Sequence, residues 1–322
     1  MIRAAITGWG GYVPVNMVQN DFLSTIVDTS DEWITSRTGI KTRHVSTGQN
    51  TSHLAYEAAK QAVKESGIKA SDIELIIVAT ITPDSFTPAT ACLVQAALGA
   101  NKAFAFDVTA GCSGFIYGLN IASSFIEKGQ VKNALVIGAE VLSKIIDWTD
   151  RSTCVIFGDG AGAVVLQASD LNGIMASYCG SAGDTEGVLN IPAVNVRNPF
   201  VVEGTGTSFM TMKGQDVFKF AVKAMRDSIK EVLKQTDYTM DDIKYVIPHQ
   251  ANGRIIDLVA RKMKVDKKKF YLNLRDKGNT SAASIPLALH EMLVQGLVKK
   301  GDKIIMVGFG GGLTWGAVLV EL

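Results

Sequence analysis

Asp72-Ile73-Glu74-Leu75-Ile76-Ile77-Val78-Ala79 returns as Asp242-Ile243-Lys244-Tyr245-Val246-Ile247-Pro248-His249, at an offset of 170 residues (242 against 72). Each copy runs from an acidic turn into a continuous apolar stretch, the pattern of a strand buried on both faces. Each also follows a segment with helical apolar spacing, 52–66 and 217–235. The echo continues outward. Segments 111–128 and 280–299 read as helices opening on small residues. They lead into the strands Ala134-Leu135-Val136-Ile137-Gly138 and Ile304-Ile305-Met306-Val307-Gly308. Gly162-Ala163-Val164-Val165-Leu166 is then answered by Gly316-Ala317-Val318-Leu319-Val320. Such alternation predicts an α/β protein with mostly parallel sheets covered on both faces. The duplication predicts two pseudo-symmetric halves, 1–170 and 171–322. The Gly-, Asn- and Pro-rich stretch 169–215 is expected to connect them and to lie over the site.

A chain of 322 residues can bury a large core, and 47% hydrophobic with 20% charged residues places it among globular proteins. Its net charge of +1 gives no global attraction for nucleic acid or an anionic membrane, so neither is expected as a partner. An acidic partner would need a local basic patch. No apolar run approaches the roughly 18 residues of a membrane span. Met1-Ile2-Arg3-Ala4-Ala5-Ile6 enters a strand pattern without a signal-peptide layout. Cys92, Cys112, Cys154 and Cys179 are scattered without a CxxC pair. Neither a metal site nor a disulfide framework is expected, and a reduced, cytoplasmic setting fits.

The chemistry starts at Cys112, in Ala105-Phe106-Asp107-Val108-Thr109-Ala110-Gly111-Cys112-Ser113-Gly114-Phe115. A strand-like run turns through small residues and delivers a thiol to the start of a helix. Aligned peptide dipoles favour negative charge there, which predicts a thiol that ionises easily. The other three cysteines read as structural. His249 ends an apolar strand, where sites of α/β proteins assemble, and its imidazole could take the thiol proton. His44, His53 and His290 read as structural. Asn279, in Gly278-Asn279-Thr280-Ser281-Ala282-Ala283-Ser284, could be a helix cap or a site residue. The cluster Gly308-Phe309-Gly310-Gly311-Gly312-Leu313-Thr314-Trp315-Gly316 could cradle phosphate or line an oxyanion hole. It lacks both a GxGxxG register and a Walker lysine. Phe157-Gly158-Asp159-Gly160-Ala161-Gly162-Ala163 reads as a packing turn. Cys112, His249 and Asn279 together suit thioester chemistry. The same trio describes papain-like cysteine hydrolases, and a non-catalytic acyl-binding protein is a third reading.

Further segments resemble β-ketoacyl-acyl-carrier-protein synthase III of the thiolase-like superfamily. They are Asp28-Thr29-Ser30-Asp31-Glu32-Trp33-Ile34, Arg37-Thr38-Gly39-Ile40 and Asp150-Arg151-Ser152-Thr153, with the Cys112, His249, Asn279 and closing glycine motifs. The resemblance runs from Met1 to Leu322. It implies a thiolase-like five-layer αβαβα fold built from the two halves. It implies an acyltransferase that loads a starter, acetyl by default, from acyl-CoA onto Cys112. Condensation with malonyl-acyl-carrier protein would then begin fatty-acid synthesis, with coenzyme A thioester as substrate and no resident cofactor.

By the same resemblance, His249 and Asn279 act on the malonyl thioester, and the amides of Cys112 and Gly311 form the oxyanion hole. Trp33 and Arg151 sandwich the adenine of coenzyme A, Arg37 meets its phosphate, and Gly214 and Asn252 border the pantetheine path. Lys219, Arg254, Arg261 and Lys262 dock the carrier protein. Phe86 and Thr87 gate the acyl pocket across a homodimer interface. Gly111 departs from the alanine of many members. A starter-loading enzyme of polyketide or quinolone-type synthesis is the neighbouring alternative. A hydroxymethylglutaryl-CoA synthase would need a catalytic glutamate that the motifs do not supply.

Overall fold

The structure, a computed structural model, describes residues 2–194, 196, 198–201 and 209–322. One sheet holds strands β1 (Arg3–Tyr12), β2 (Leu75–Ala79), β3 (Phe104–Val108), β4 (Asn133–Glu140) and β5 (Gly160–Ser169), in the order β1-β5-β4-β2-β3. The other holds β6 (Gly173–Ser181), β7 (Tyr245–Pro248), β8 (Lys303–Gly310) and β9 (Thr314–Glu321), in the order β7-β8-β9-β6. The order β1-β5-β4-β2 is thus repeated as β6-β9-β8-β7. The sequence echo marks the matching strands β2 and β7.

The sheets are mixed, which corrects the expectation of mostly parallel pairing. Only β2/β3, β2/β4 and β7/β8 are parallel, while β1/β5, β4/β5, β8/β9 and β9/β6 are antiparallel. Antiparallel neighbours need no crossover helix. None intervenes between β4 and β5, and β8 turns straight into β9 through Gly311-Gly312-Leu313.

The main helices are α1 (Asp31–Thr38), α2 (Thr51–Ser66), α3 (Thr90–Leu98), α4 (Gly114–Glu127), α5 (Gly214–Lys234), α6 (Gly253–Met263) and α7 (Ser284–Val294). The apolar strands carry no polar face because both faces are covered. Leu75 and Ile77 of β2 point inward to a core that holds Leu119 of α4, Leu289 of α7, and Ile304 and Val318 of the second sheet. Ile76 and Val78, on the opposite face, pack on Ala58 of α2 and Val94 of α3. Val246 and Ile305 likewise face Met225 of α5 and Ile256 of α6. The layers therefore run α2/α3, sheet, α4/α7, sheet, α5/α6: a five-layer αβαβα fold.

A fourth core (Leu23, Ile34, Ile40, Leu142, Ile146, Val155, Phe157 and Met210) ties α1 to the loop between β4 and β5. The stretch 169–215 is not all connection, since Gly173–Ser181 forms β6 inside the second sheet. Of the remainder, 195, 197 and 202–208 lie outside the described residues, and Leu189 and Met212 line the cavity described next.

Candidate active site

Two mirrored turns build the site. Gly111–Ser113 forms a 3-10 turn that runs into α4, and Ser281–Ala283 forms another that runs into α7. Both sit on the central layer, so the halves present equivalent helix starts to one another. The close approach needs glycine. A Cβ on Gly138 of β4 would lie 2.2 Å from the Ala282 carbonyl oxygen. Gly111 has φ +53°, and a Cβ there would meet the Gly311 amide nitrogen at 2.7 Å. Glycine suits both the left-handed backbone and the contact, so the departure from alanine leaves Cys112 well seated. Thr314 Oγ1 donates to the Ala110 carbonyl at 2.7 Å and joins the closing glycine turn to the Cys112 turn.

Cys112, His249 and Asn279 line one cavity of about 330 Å³. All three are buried, at 6%, 1% and 6% exposure. Asn279 is fixed by its backbone, which donates to Ile156 O and accepts from Gly158 N, both at 3.0 Å. Its Oδ1 accepts from the Ser281 amide at 2.9 Å, which leaves Nδ2 without a protein acceptor among the described residues. His249 Nδ1 lies 2.7 Å from Ser284 Oγ, and the Phe309 ring packs on the imidazole edge to face, centroids 5.1 Å apart.

Burial overrides the expectation of an easily ionised thiol. It pushes Cys112 up to about 12, with the Ser281 hydroxyl pulling down and Glu140 pushing further up. A helix N-terminus contributes at most about 2 kcal/mol, roughly 1.5 pK units, which cannot offset a rise of that size. Burial also drives His249 down to about 3. The imidazole is therefore held neutral and is a weak base, which corrects its expected role as acceptor of the thiol proton. Burial thus favours the neutral form of both the thiol and the ring that line this cavity.

The cavity opens past Trp33, Arg37, Arg151, Gly214, Asn252 and Arg254, so the expected coenzyme A residues gather at one mouth. The Arg37 and Arg151 guanidinium carbons stand 5.2 and 5.1 Å from the Trp33 ring centroid. Arg151 thus rests on the indole, and an intervening ring would have to displace it. Asn252 caps α6 by accepting from the Arg254 amide at 2.9 Å, and donates to Arg37 O at 3.1 Å. Lys219 is exposed on the first turns of α5, and Arg261 and Lys262 are exposed on the last turn of α6. Phe86 (80% exposed) and Thr87 lie exposed on the surface and do not line this cavity. The remaining cysteines and histidines lie elsewhere; His44 Nδ1, for example, meets Pro14 O. Asp159 of the earlier glycine loop is buried, accepting from the amides of Ser46 and Ser143, as a packing turn should.

Three site residues were missed from sequence: Ser281, Ser284 and Glu140. The serines were inside the quoted Asn279 motif, where hydroxyls three apart at a helix start were the available signal. Glu140 ends a strand that is apolar from Ala134 to Ala139, and no local signal marks its carboxyl as buried. A second, open groove bordered by Met17, Phe22, Ile26 and Trp148 carries no titratable side chain.

The sequence and the fold have known counterparts. Residues 106–183 match the family description 3-oxoacyl-[acyl-carrier-protein (ACP)] synthase III, and residues 233–322 match its C-terminal counterpart. The β-ketoacyl-[acyl-carrier-protein] synthase III of Clostridium novyi (strain NT) is 56% identical over all of this chain and 99% of its own length. The chain belongs to the β-ketoacyl-[acyl-carrier-protein] synthase III family. The crystal structure of the Aquifex aeolicus VF5 3-oxoacyl-[acyl-carrier-protein] synthase III superposes with TM-score 0.92 at 48% identity, covering 99% of this chain and 100% of the other. The priming β-ketosynthase of the R1128 polyketide pathway superposes with TM-score 0.91 at 34% identity, covering 99% and 96%. The thiolase-like reading of the fold holds, and a papain-like hydrolase is set aside.

Proposed function

We propose that this synthase moves an acyl starter from coenzyme A to Cys112 and condenses it with malonyl-acyl-carrier protein. Carbon dioxide is lost, and the product is the 3-oxoacyl-acyl-carrier protein that begins a fatty acid. The observation that carries this reading is the convergence of Cys112, His249 and Asn279 in one buried cavity behind an arginine- and tryptophan-lined mouth.

The Cys112 sulfur attacks the thioester carbonyl, and the amides of Cys112 and Gly311 stabilise the oxyanion. The packing of the Gly310–Gly311 backbone against the Cys112 turn supports this pairing. The acyl-enzyme splits the reaction into two halves. In the second, decarboxylation leaves an enolate oxygen that needs donors. Asn279 Nδ2 and His249 Nε2–H supply them, and the new carbanion attacks acyl-Cys112. Neutral imidazole is the useful form here, because it donates without adding a charge that must be desolvated.

Trp33, Arg37 and Arg151 take the nucleotide end of coenzyme A, and Gly214 and Asn252 flank its pantetheine arm. Lys219, Arg254, Arg261 and Lys262 form the basic surface for the carrier protein. Acetyl is the starter. Exposed Phe86 and Thr87 close the acyl pocket of a partner protomer in a cytoplasmic homodimer whose chains divide into halves 1–170 and 171–322. No resident cofactor takes part. Likeness to the polyketide-priming enzyme favours a second reading, in which the starter is longer and the product enters specialised metabolism.

Purified protein given a panel of acyl-CoAs with malonyl-acyl-carrier protein decides between them. Turnover fastest with acetyl-CoA supports the first reading, and preference for a longer acyl group supports the second. Absence of any 3-oxoacyl product overturns both.

A further inference from the structure

Glu140, the last residue of β4, is 0% exposed and has no cation in hydrogen-bond contact among the described residues. The ammonium of Lys144 is spent on the Thr82 and Pro83 carbonyls, at 2.8 and 3.0 Å. The two carboxylate oxygens of Glu140 are used differently. Oε2 accepts from Thr80 Oγ1 at 3.1 Å, the Ile81 amide at 3.1 Å and Thr82 Oγ1 at 2.6 Å, all in the segment that follows β2. Oε1 lies 3.3 Å from the same Ile81 amide and accepts from Ser281 Oγ at 3.1 Å, which joins the first sheet to the turn that opens α7.

Ser281 holds a left-handed backbone with φ +49°, which a residue other than glycine keeps only where its surroundings enforce it. In that conformation its amide donates to Asn279 Oδ1 at 2.9 Å. An N–H can meet only the oxygen of a carboxamide, so this bond decides which way the Asn279 side chain is turned and gives Nδ2 its donor role. At the start of α7, Ser284 Oγ meets His249 Nδ1 at 2.7 Å. The short turn Ser281–Ala283 therefore leads from one partner of Cys112 to the support of the other, and the Glu140 carboxylate pins it to β4.

We infer that Glu140 is a positioning residue for decarboxylation: by holding the Ser281 hydroxyl it fixes the turn that orients Asn279 as a donor to the enolate. The inference deepens the reading of Asn279 given above and rests on it. Glu140 does not line the cavity and acts only through Ser281. The turn that carries Cys112 is held separately, by Thr314 Oγ1 on the Ala110 carbonyl. Loss of the Glu140 tie should therefore fall on the half-reaction that uses Asn279 and much less on acylation of the sulfur. A carboxylate that merely stabilised the fold would slow both alike.

The test separates the half-reactions. Acylation is followed by rapid-quench labelling with acetyl-CoA, and decarboxylation by release of labelled carbon dioxide from malonyl-acyl-carrier protein. Ser281→Ala cuts the tie and keeps the amide that meets Asn279. It should slow decarboxylation by about 10- to 10²-fold, short of the loss of the donor itself, and slow acylation at least about fivefold less. Glu140→Leu should show the same split. The double variant should be no slower than Glu140→Leu alone, because both changes break one link. Glu140→Gln should recover most of the loss, since its amide can donate to the Ser281 hydroxyl. Equal slowing of both half-reactions in Ser281→Ala overturns the inference even where Glu140→Leu fails to fold. Additive slowing in the double variant, or a Glu140→Gln protein as slow as Glu140→Leu, overturns it too. Undiminished decarboxylation in Asn279→Ala would instead overturn the reading beneath it.

Discussion

Ser284 Oγ lies 2.7 Å from His249 Nδ1 and accepts from the Gln250 amide at 3.4 Å. The hydroxyl's single hydrogen is therefore available to the ring. When Nδ1 accepts it, the imidazole proton resides on Nε2. That tautomer turns His249 into a donor, the role an enolate oxygen requires.

Ser284→Ala removes the bond that selects this tautomer. One hydrogen bond is worth about 1 kcal/mol, so condensation should slow by about 5- to 10-fold. Acylation of Cys112 should change less than about twofold on the same scale. Stopped-flow separation of the half-reactions checks this, and equal slowing of both would contradict it.

Asn279→Ala deletes a donor held in place by the Ser281 amide. Loss of one such preorganised donor costs about 10²- to 10³-fold. Release of labelled carbon dioxide from malonyl-carrier protein should fall by that factor, while labelling of the protein by acetyl-CoA persists.

Acid should destabilise the fold through His249. Its folded pKa of about 3 lies below the unfolded value of about 6.5, so the unfolded chain binds more protons between those limits. This contribution is fully present above about pH 6.5 and is lost as pH falls towards 3. Denaturant midpoints measured between pH 7 and 4 should drop less in His249→Gln than in wild type; parallel declines would contradict the assignment.

Trp33→Ala should raise KM for acetyl-CoA by about 2- to 30-fold, the range expected when cation–π and stacking contacts worth about 0.5–2 kcal/mol are lost. The kcat should stay within about twofold, because the indole stands at the mouth, away from Cys112.

The sequence carried the architecture because repetition is visible in letters. The strand pair 72–79 and 242–249 found the two sheets, and small-residue helix starts found the turns that face each other. Pairing direction was not visible: β5 and β9 are apolar runs like any other, and only the connection before each makes them antiparallel. Cys112, His249 and Asn279 were legible because each stands at an element end beside glycine or proline. The electrostatics were not. The dipole at Cys112 follows from chain direction alone, whereas desolvation depends on how much protein the folded chain places around the sulfur. Glu140 was hidden for the same reason, since nothing local distinguishes a buried strand-end acid from one pointing into water.

The most direct test of the account is intact-protein mass spectrometry after brief exposure to acetyl-CoA without malonyl-carrier protein. Wild type should gain one acetyl group per chain, mapping to Cys112 on digestion, and Cys112→Ala should gain none. An acetylated Cys112→Ala chain, or wild type labelled at a different residue, would contradict the assignment of the nucleophile.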